Sequence, residues 1–451
     1  MSRQKTITVL GAGYVGLTTA TLLAHAGYKV YIVEPARERL RVIKKGKSFF
    51  YEHGLEPLIK LAVDADALIP TDSYDTSVPK SSLVLSCVGT PDNPDGSSNL
   101  SYVFAAAQEA ARFAKPGTIY VQKSTVPVGT GQQIEALFRQ AKVKIDYISS
   151  PEFLREGTGV KDTLFFDRIV VGGQNPQAID QVMKLYMDLE KYREHIAHLA
   201  KVPLSCDSGR YIATSLNSAE LIKVTANAFL ALKISFANSI AQLADKTNAD
   251  IVEVMDAVGA DRRIGRAFLS AGRGYGGGCF PKDVSGLISS ALEHGVDLEI
   301  MHAAQSVNAS MPDYIVGKLH DEIGSLTGKK IAVLGLAFKA GTSDVRKSPG
   351  VAIANKLTKA GAIVTTYDPQ AHEEAAPDLA GGITQRATIT EAIEDVSAAI
   401  ITTDWPEIID YPAKDFAKNL AKKVLFDAVN HYNAVAAQNA GLRYIGVGHK
   451  V

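Results

Sequence analysis

The 451-residue sequence lacks the features that mark several protein classes. Its three cysteines, Cys87, Cys206 and Cys279, are odd in number and far apart. That spacing fits neither a disulfide framework nor a zinc site, so a reducing cytoplasm is the expected compartment. HExxH, P-loop, GxSxG and paired CxxC motifs are absent, and the ten histidines follow no recurring arrangement. No metal site is therefore expected.

Excess charge and long apolar runs are also missing. Lys plus Arg and Asp plus Glu both number 48, so the formal net charge is zero. This argues against binding to nucleic acids or anionic membranes, which depends on excess basic charge. No apolar run approaches the roughly 18 residues that span a bilayer, and the N-terminus leads directly into a predicted strand. We expect a soluble protein of two or three domains.

A dinucleotide-binding fingerprint stands near the start of the chain. Residues 6–10 are β-prone and meet GAGYVG at 11–16, after which a helical pattern and a second strand lead to Glu34. Such glycines allow a tight turn and close approach of the backbone to a pyrophosphate, and a terminal acid accepts the ribose hydroxyls. The acid disfavours a 2′-phosphate, so NAD is preferred over NADP. The predicted cofactor residues here are Gly11, Gly13, Tyr14, Val15, Gly16 and Glu34.

Three further β-prone runs, at 83–88, 118–121 and 145–148, each end in a polar or Gly/Pro turn. The turns are Gly89-Thr90-Pro91, Lys123-Ser124-Thr125-Val126-Pro127 and Ser150-Pro151-Glu152. Ligands of open α/β sheets bind at the carboxyl ends of strands, so these turns are expected to line a cleft.

The middle of the chain reads as helix. Apolar residues recur at helical spacing from Ser215 to Asn248, with neither Pro nor Gly between them. A helix of about 30 residues spans about 45 Å, so this one is expected to connect domains and to carry a dimer interface. Lys223 and Asn227 share one face of it, and their apolar flanks, including Phe229, suggest burial nearly all round. Further helical patterns run over 251–267 and 282–324.

The last third of the chain repeats the first. Residues 330–335 echo 5–11, and 360–369 echo 26–35, but the distance from glycine to acid grows from 23 positions to 33. Gly335-Leu336-Ala337-Phe338-Lys339 replaces the fingerprint, so this region is expected to bind a nucleotide diphosphate, with Lys339 meeting its charge. The predicted fold is α/β, with two Rossmann-like doubly wound domains (1–210 and 326–451) joined by a helical dimerisation domain (211–325).

Two segments carry candidate chemistry. Five glycines in the seven residues 272–278 precede Cys279, and Asp283 follows four positions later. Thiolate is favoured at a helix start, so Cys279 is a candidate nucleophile, whereas Cys87 and Cys206 are expected to be buried small hydrophobes. Residues 151–158 present two carboxylates after a predicted strand. The alternative interpretation of these acids is exposure on a helix start.

Taken together, the motifs resemble the nucleotide-sugar 6-dehydrogenases (the UDP-glucose/GDP-mannose dehydrogenase family), and the CFPKD string resembles the UDP-glucose branch. The resemblance rests on GAGYVG at 11–16, VGTP at 88–91, STVPVGT at 124–130, SPEFLREGT at 150–158, ELIKVTANAFLALKISFAN at 220–238, DRRIG at 261–265, GYGGGCFPKD at 274–283 and GLAFKAGTSDVRKSP at 335–349.

What the resemblance implies is oxidation of UDP-glucose to UDP-glucuronate, a four-electron reaction that uses two NAD⁺ in succession. By this resemblance Cys279 captures the aldehyde as a thiohemiacetal that becomes a thioester, and Lys223 stabilises the oxyanion. Asp283 and Thr125 handle protons and position water. Glu152 assists hydrolysis with Glu156 in support, and Asn227 holds a sugar oxygen.

The resemblance also implies the binding residues. Arg263 matches an arginine that reaches a neighbouring subunit, which implies a homodimer or larger homo-oligomer. Arg346 is assigned to the cofactor, although it also matches a substrate-side position together with the loop 272–278. The further cofactor residues are Arg39, Val88, Gly89, Thr90, Ser124, Thr125, Glu156, Lys282 and Arg346. The substrate residues are Glu152, Phe153, Leu154, Arg155, Lys223, Asn227, Arg263, Phe268, Tyr275, Gly276, Phe338 and Lys339.

The sequence departs from the family pattern at three places: Gly278 replaces a serine, Ser239 replaces a glutamate, and 427–430 lacks an arginine between Asp and Asn. Three alternatives stay open. One is a 6-dehydrogenase for another nucleotide sugar, such as a UDP-N-acetylhexosamine or GDP-mannose. Another is a non-catalytic NAD-binding regulatory protein. The third is a two-electron hydroxyacid or sugar-acid dehydrogenase, which the second Rossmann-like domain and the cysteine loop disfavour.

Overall fold

A computed structural model describes residues 5–205 and 209–449. Cys206, predicted to be a buried hydrophobe, lies outside the described residues. The chain divides into two compact units, and the division falls between Ala226 and Asn227, within one long helix. The predicted three-domain organisation, with boundaries near residues 210 and 325, stays a prediction.

The first unit is built on an eight-stranded sheet with the order β3-β2-β1-β4-β5-β6-β7-β8. All neighbouring strands are parallel except β6 and β7, which are antiparallel. The central strands β4 and β5 are wholly buried, as expected for a parallel sheet with helices on both faces. The strands are β1 Thr6–Leu10, β2 Lys29–Val33, β3 Leu68–Thr71, β4 Leu83–Ser86, β5 Thr118–Gln122, β6 Ile145–Ser149, β7 Arg168–Gly173 and β8 Arg210–Thr214.

Helices cover both faces of this sheet, and two apolar clusters form its core. Short 3₁₀ turns occur at Val78–Lys80 here and at Ala376–Asp378 in the second unit. The helices that begin in the first unit are α1 Tyr14–His25, α2 Arg37–Lys44, α3 Leu55–Asp64, α4 Tyr74–Ser77, α5 Ser101–Phe113, α6 Thr130–Gln140, α7 Gly159–Leu164, α8 Pro176–Glu190, α9 Arg193–Ala200 and α10 Leu216–Thr247.

The second unit contains a parallel six-stranded sheet with the order β11-β10-β9-β12-β13-β14. Its strands are β9 Lys330–Leu334, β10 Ile363–Tyr367, β11 Thr384–Gln385, β12 Val396–Ile401, β13 Leu420–Asp427 and β14 Arg443–Gly446. Its helices are α11 Ile251–Gly259, α12 Phe280–Glu293, α13 Glu299–Ile323, α14 Pro349–Lys359, α15 His372–Ala375, α16 Ile389–Ile393, α17 Pro406–Ile409, α18 Ala413–Asn419 and α19 Ala434–Asn439. The predicted α/β class with two Rossmann-like sheets and a long central helix is confirmed.

The helical predictions for 251–267 and 282–324 were wrong in extent. Helix α11 ends at Gly259, and the segment that follows is irregular, with positive φ at Gly265 and Phe268. The second pattern starts two residues earlier, at Phe280, and forms two helices separated at Gly295, which has φ +73°. Glycine in the left-handed region ends a helix whatever the apolar periodicity around it.

Helix α10 matches its predicted span to within a residue at each end. By length and composition alone it could cross a membrane, a test that core helices of soluble proteins also pass. Its apolar stretch is not continuous, because Lys233 and Asn238 interrupt it. Both residues belong to the second unit and bind backbone within that unit. The Lys233 ammonium donates to the carbonyls of Ile264 and Gly265, and the Asn238 carbonyl accepts the N–H of Gly272.

Candidate active site

The carboxyl ends of the central strands of the first sheet gather the predicted turns at one edge. The N–H of Cys87, after β4, donates to the carbonyl of Leu10 in β1 at 2.8 Å, and the N–H of Lys123, after β5, donates to Ser86 at 2.9 Å. Because neighbouring parallel strands end at the same edge, the turns that follow them lie side by side. This edge carries Gly11, Gly13, Val88, Gly89, Thr90, Ser124, Thr125 and Glu152.

The fingerprint turn has the geometry that a dinucleotide requires. Gly11 has φ +88°, and a Cβ at Gly16 would overlap the carbonyl of Gly11, so strand and helix pack closely. A Cβ at Gly13 would meet nothing within 4 Å, so this part of the turn is open to a ligand. The Glu34 carboxylate accepts the N–H groups of Ala12 (3.1 Å) and Ala36 (2.9 Å) at the end of β2. The turn therefore fits a pyrophosphate.

The neighbouring residues Tyr14 and Arg39, predicted for the cofactor, lie against aromatic rings. Tyr14 contacts Phe50 with ring centroids 4.0 Å apart, and the Arg39 guanidinium lies 4.9 Å from the centroid of Phe49. Tyr14 is the first residue of α1 and Arg39 lies on α2, so the two contacts restrict side chains of the helices that follow β1 and β2.

A buried lysine behind this edge was missed in the sequence analysis. The ammonium of Lys123 donates to the Tyr186 phenol at 2.7 Å. Burial disfavours the ammonium, but Tyr186, Glu152 and Cys87 more than offset it, and the pKa of Lys123 is raised. Cys87 is buried as predicted, and burial raises its pKa to about 12. The detectable signal was a lysine just after the β-prone run at 118–121.

Residues 152–155 follow β6 and include an aromatic ring with two cations near it. Phe153 lies 3.9 Å from the Arg168 guanidinium and 5.2 Å from the Lys223 ammonium, measured to the ring centroid. The Glu152 carboxylate accepts the N–H of Leu154. Arg155 is ion-paired with Asp162 at 2.8 Å. The structure thus brings the predicted substrate residues Phe153 and Lys223 together. Arg155, also predicted to bind the substrate, is instead ion-paired with Asp162.

Helix α10 presents three polar residues at successive turns, Glu220, Lys223 and Asn227, and all three are buried. The expectation of burial all round was wrong, because Phe229 is exposed. Glu220, which was not predicted, accepts the N–H groups of Gly129 and Gly131, each at 2.8 Å. Burial raises its pKa to about 7, although these two hydrogen bonds oppose the shift.

In the second unit Cys279 is the N-cap residue of α12, and its side chain is exposed. The N–H of Asp283 donates to the Cys279 carbonyl at 2.9 Å, which places the acid one turn into the helix. The Asp283 carboxylate is buried and doubly held: Asn227 donates to Oδ2 at 2.6 Å, and Lys282 is paired with Oδ1 at 2.5 Å. An accessible thiol at a helix N-terminus is the setting that favours a nucleophilic thiolate.

The glycine loop before Cys279 packs against the loop after β9. Gly277 has φ +82°, its N–H donates to the Arg346 carbonyl at 2.8 Å, and a Cβ there would lie 2.8 Å from the Phe338 ring. A Cβ at Gly278 would overlap the Arg346 guanidinium, which Asp344 holds at 2.6 Å. The departure at position 278 thus makes room for Arg346 beside the cysteine.

Three further predicted substrate residues of the second unit, Tyr275, Phe268 and Arg263, differ in their surroundings. Tyr275 is buried, and its backbone exchanges two hydrogen bonds with the Asn308 amide, while burial raises the pKa of its phenol to about 12. Phe268 lies 6.0 Å from Phe280 between ring centroids. Arg263 is different, because its side chain is 89% exposed and is paired with Asp261. Among residues 5–205 and 209–449, no group of three or more His, Cys, Asp or Glu side chains could hold a metal ion.

Known proteins match the chain over nearly its whole length. Three domain profiles of the UDP-glucose/GDP-mannose dehydrogenase family match it: the NAD binding domain over 5–190, the central domain over 217–310 and the UDP binding domain over 332–434. A UDP-glucose 6-dehydrogenase of Bacillus subtilis is 36% identical over 449 residues, which cover 98% of each chain.

Solved structures of two UDP-sugar dehydrogenases share the fold of this chain. A UDP-glucose dehydrogenase from Pyrobaculum islandicum superposes with a TM-score of 0.87 at 34% identity, covering 100% of this chain and 99% of that one. A UDP-D-ManNAc dehydrogenase from Pyrococcus horikoshii gives 0.85 at 26% identity, covering 98% and 99%. NAD is therefore the cofactor, and the protein is an oxidoreductase of the UDP-sugar dehydrogenases. The chain belongs to the UDP-glucose/GDP-mannose dehydrogenase family.

Proposed function

We propose that this protein oxidises the C6 alcohol of UDP-glucose to a carboxylate through a thioester on Cys279. The observation that carries the proposal is the exposed Cys279 thiol at the start of α12, with the buried Asp283 carboxylate one turn away. A nucleophile of this kind keeps a reactive aldehyde attached to the enzyme between two oxidations.

The steps use residues of the chain as follows. The C6 alcohol first loses a proton from its oxygen and a hydride from C6 to give an aldehyde. Cys279 Sγ then attacks the aldehyde carbon, a C–S bond forms, and the oxygen takes up a proton to give a thiohemiacetal. Loss of a proton from that oxygen and a hydride from C6 leaves a thioester, and water then displaces the thiol to give the carboxylate. NAD, when bound, accepts the two hydrides that leave C6 in succession. Lys223 is proposed to stabilise the oxyanion, and Glu152 and Thr125 to position water.

Asp283 is proposed as the proton-handling group beside the thiol. Its two oxygens are bound by Asn227 and Lys282, so the carboxylate cannot rotate freely about its side chain. A fixed acceptor near the reacting alcohol is what general-base catalysis requires.

The sugar and the base are tested by turnover with UDP-glucose, UDP-N-acetylglucosamine, UDP-N-acetylmannosamine and GDP-mannose. The proposal expects the highest kcat/KM with UDP-glucose and two NADH formed per sugar consumed. A preference for an acetamido sugar supports the other-sugar alternative, which the Pyrococcus structure represents. One NADH per sugar, with aldehyde released, would contradict the thioester. No turnover with any of the four would favour a regulatory NAD-binding protein.

We also propose that the active form is a homodimer, formed along α10 and working in the cytoplasm. Phe229, Phe236 and Leu243 follow one another at seven-residue spacing on α10, and all three are exposed. Large apolar side chains at this spacing form a seam suited to a second helix of the same kind. The exposed Arg263 supports the proposal, since a cross-subunit ligand must leave its own fold.

Analytical ultracentrifugation of Phe236→Glu tests the dimer. The variant is expected to sediment as a monomer and to lose most of its activity. Leu61→Glu is the matched control, because Leu61 is also an exposed apolar residue but lies on α3. Arg263→Ala should raise the KM for the nucleotide sugar more than that for NAD. An active wild-type monomer at assay concentration would refute the proposal.

A further inference from the structure

Arg273, the second residue of the glycine loop, carries a buried guanidinium with unpaired donors. Only 6% of the residue is exposed. Nη2 donates to the carbonyl of Phe338 at 2.8 Å. Within the described ranges 5–205 and 209–449, Nε and Nη1 have no hydrogen-bond partner. Three of the five N–H groups of this cation are therefore unpaired and out of water, an arrangement that folded proteins normally avoid.

The two acids near Arg273 are bound to other donors. Asp368 Oδ2 accepts the N–H groups of Leu336 (2.6 Å), Ala337 (2.9 Å) and the Trp405 indole (3.1 Å). The carboxylate of the other acid, Asp404, is paired with His431 at 3.3 Å. Burial lowers the pKa of Arg273 to about 10, against the attraction of Asp404 and Asp368. The guanidinium therefore stays charged at neutral pH.

The position of Arg273 in the fold is the place where open α/β sheets bind ligands. Phe338 follows β9, and Ala428, whose carbonyl accepts the Arg273 N–H at 2.7 Å, follows β13. Asp404 follows the strand between them, β12, and Asp368 follows β10. Arg273 thus lies at the carboxyl ends of four adjacent strands, at the point where the strand order reverses between β9 and β12. The segment 427–430, in which the sequence lacks the expected arginine, adjoins it.

We propose that Arg273 binds the diphosphate of the nucleotide sugar. The inference rests on the proposed function, which supplies a ligand with anionic oxygens. Phosphate oxygens bind a guanidinium strongly, through several N–H groups at once. Among the described residues, one hydrogen bond, to the Phe338 carbonyl, holds the guanidinium in place. Substrate binding then provides acceptors for donors that the protein itself leaves unpaired.

The test is equilibrium titration of the full-length protein with UDP, uridine and NAD. Arg273→Met is expected to raise the Kd for UDP roughly 10- to 100-fold and to leave the Kd for uridine and NAD unchanged. Arg273→Lys, which keeps the charge but not the fork of donors, is expected to lie between. In steady state Arg273→Met should raise the KM for UDP-glucose with little change in kcat.

Controls separate binding from structure. Arg443→Met removes the same charge from an exposed arginine that is paired with Glu322, and it should leave the Kd for UDP unchanged. The midpoint of thermal unfolding of Arg273→Met should equal or exceed that of the wild type, because the variant removes unpaired buried donors. A lower midpoint with an unchanged Kd for UDP would show a structural arginine and overturn the proposal.

Two other outcomes are decisive. An equal loss of affinity for uridine and UDP would assign Arg273 to the nucleoside and overturn the diphosphate assignment. If the wild type binds UDP and oxidises UDP-glucose while Arg273→Met binds UDP equally well, the inference alone fails. A wild type that binds neither UDP nor GDP would instead contradict the proposed function.

Discussion

The two sheets of this protein share one strand order but differ in the first turn. In the first unit the order β3-β2-β1-β4-β5-β6 matches β11-β10-β9-β12-β13-β14 of the second, position by position. Three residues, 11–13, join β1 to α1, whereas residues 335–348 join β9 to α14. The repeat in the sequence reflects this shared architecture. The longer turn replaces the NAD fingerprint in the region that matches the UDP binding domain of the family.

In both units one glycine at the start of the turn and one in the first turn of the following helix hold helix and strand together. Gly11 and Gly335 both have positive φ, at +88° and +107°. A Cβ at Gly16 would overlap the Gly11 carbonyl, and one at Gly350 would lie 2.5 Å from the Gly335 carbonyl. The glycine that is lost is the middle one, Gly13, which no packing contact requires. The fingerprint therefore combines two structural glycines with one that serves the ligand.

The acids at the ends of β2 and β10 also differ. Each Glu34 oxygen accepts one backbone N–H. In contrast, a single oxygen of Asp368 accepts two backbone N–H groups of the first turn and the Trp405 indole. In the second unit the amides of both Leu336 and Ala337 are therefore bound within the protein, whereas in the first unit Glu34 binds one turn amide, that of Ala12.

The largest expected effect concerns Cys279, which is proposed to act in catalysis and not in binding NAD or UDP. Cys279→Ala should lower kcat by several powers of ten, about 10⁴, because the covalent intermediate cannot form. The Kd values for NAD and UDP should stay within about threefold of the wild type, as measured by calorimetric titration. Cys87→Ala is the control, since Cys87 is buried in the core and should keep near-normal turnover. A large rise in either Kd of Cys279→Ala would show a structural role instead.

The next prediction separates the two first turns. Gly13→Val should raise the Kd for NAD about 100-fold and leave the Kd for UDP unchanged. Gly13 has φ −65° and open space around its Cβ position, so the new side chain blocks only a ligand. The midpoint of thermal unfolding should stay the same. Gly16→Val provides the contrast, because its side chain would overlap Gly11 and lower that midpoint. Normal NAD binding by Gly13→Val would contradict the comparison.

A smaller effect is expected on the choice between NAD and NADP. Glu34→Ala should narrow the preference for NAD over NADP about tenfold, because it removes both the ribose acceptor and the repulsion of a 2′-phosphate. The ratio of the two kcat/KM values measures this. Equal or better kcat/KM with NADP in the wild type would refute the role of Glu34.

The smallest effect is a pH dependence confined to the first unit. The pKa of Glu220 is raised from 4.5 to about 7, so between these values the folded state binds more protons than the unfolded state. Stability should therefore fall as pH rises through this range, by at most about 3 kcal/mol. Between pH 5 and pH 8 the thermal midpoint of Glu220→Gln should fall by a few degrees less than that of the wild type. Parallel pH profiles would show that the Glu220 pKa is not raised.

Local sequence patterns were sufficient for the architecture. The glycine-to-acid spacing and the repeated strand at 330–334 predicted both sheets, because each signal lies within one strand-turn-helix segment. The ends of the helices were harder to predict from the sequence. Apolar periodicity continued past Gly259 and Gly295, but α11 ends at Gly259, and Gly295, which has positive φ, follows the end of α12.

The site was predictable residue by residue but not contact by contact. Cys279 and Asp283 lie four positions apart at a helix start, so their arrangement follows from helical geometry. The contact of Arg346 with Gly278 joins segments that are far apart in sequence, as does the bond from Arg273 to Phe338. Such contacts depend on tertiary packing, which spacing along the chain does not encode.

The central claim is that Cys279 forms a covalent bond to C6 of UDP-glucose. Intact-mass measurement of Cys279→Ser after mixing with UDP-glucose and NAD⁺ tests it most directly. The serine ester hydrolyses slowly because an alkoxide is a poorer leaving group than a thiolate, so a covalent sugar adduct is expected to accumulate with a sub-stoichiometric burst of NADH. Turnover at a near wild-type rate, with two NADH per sugar and an unmodified mass, would contradict the account.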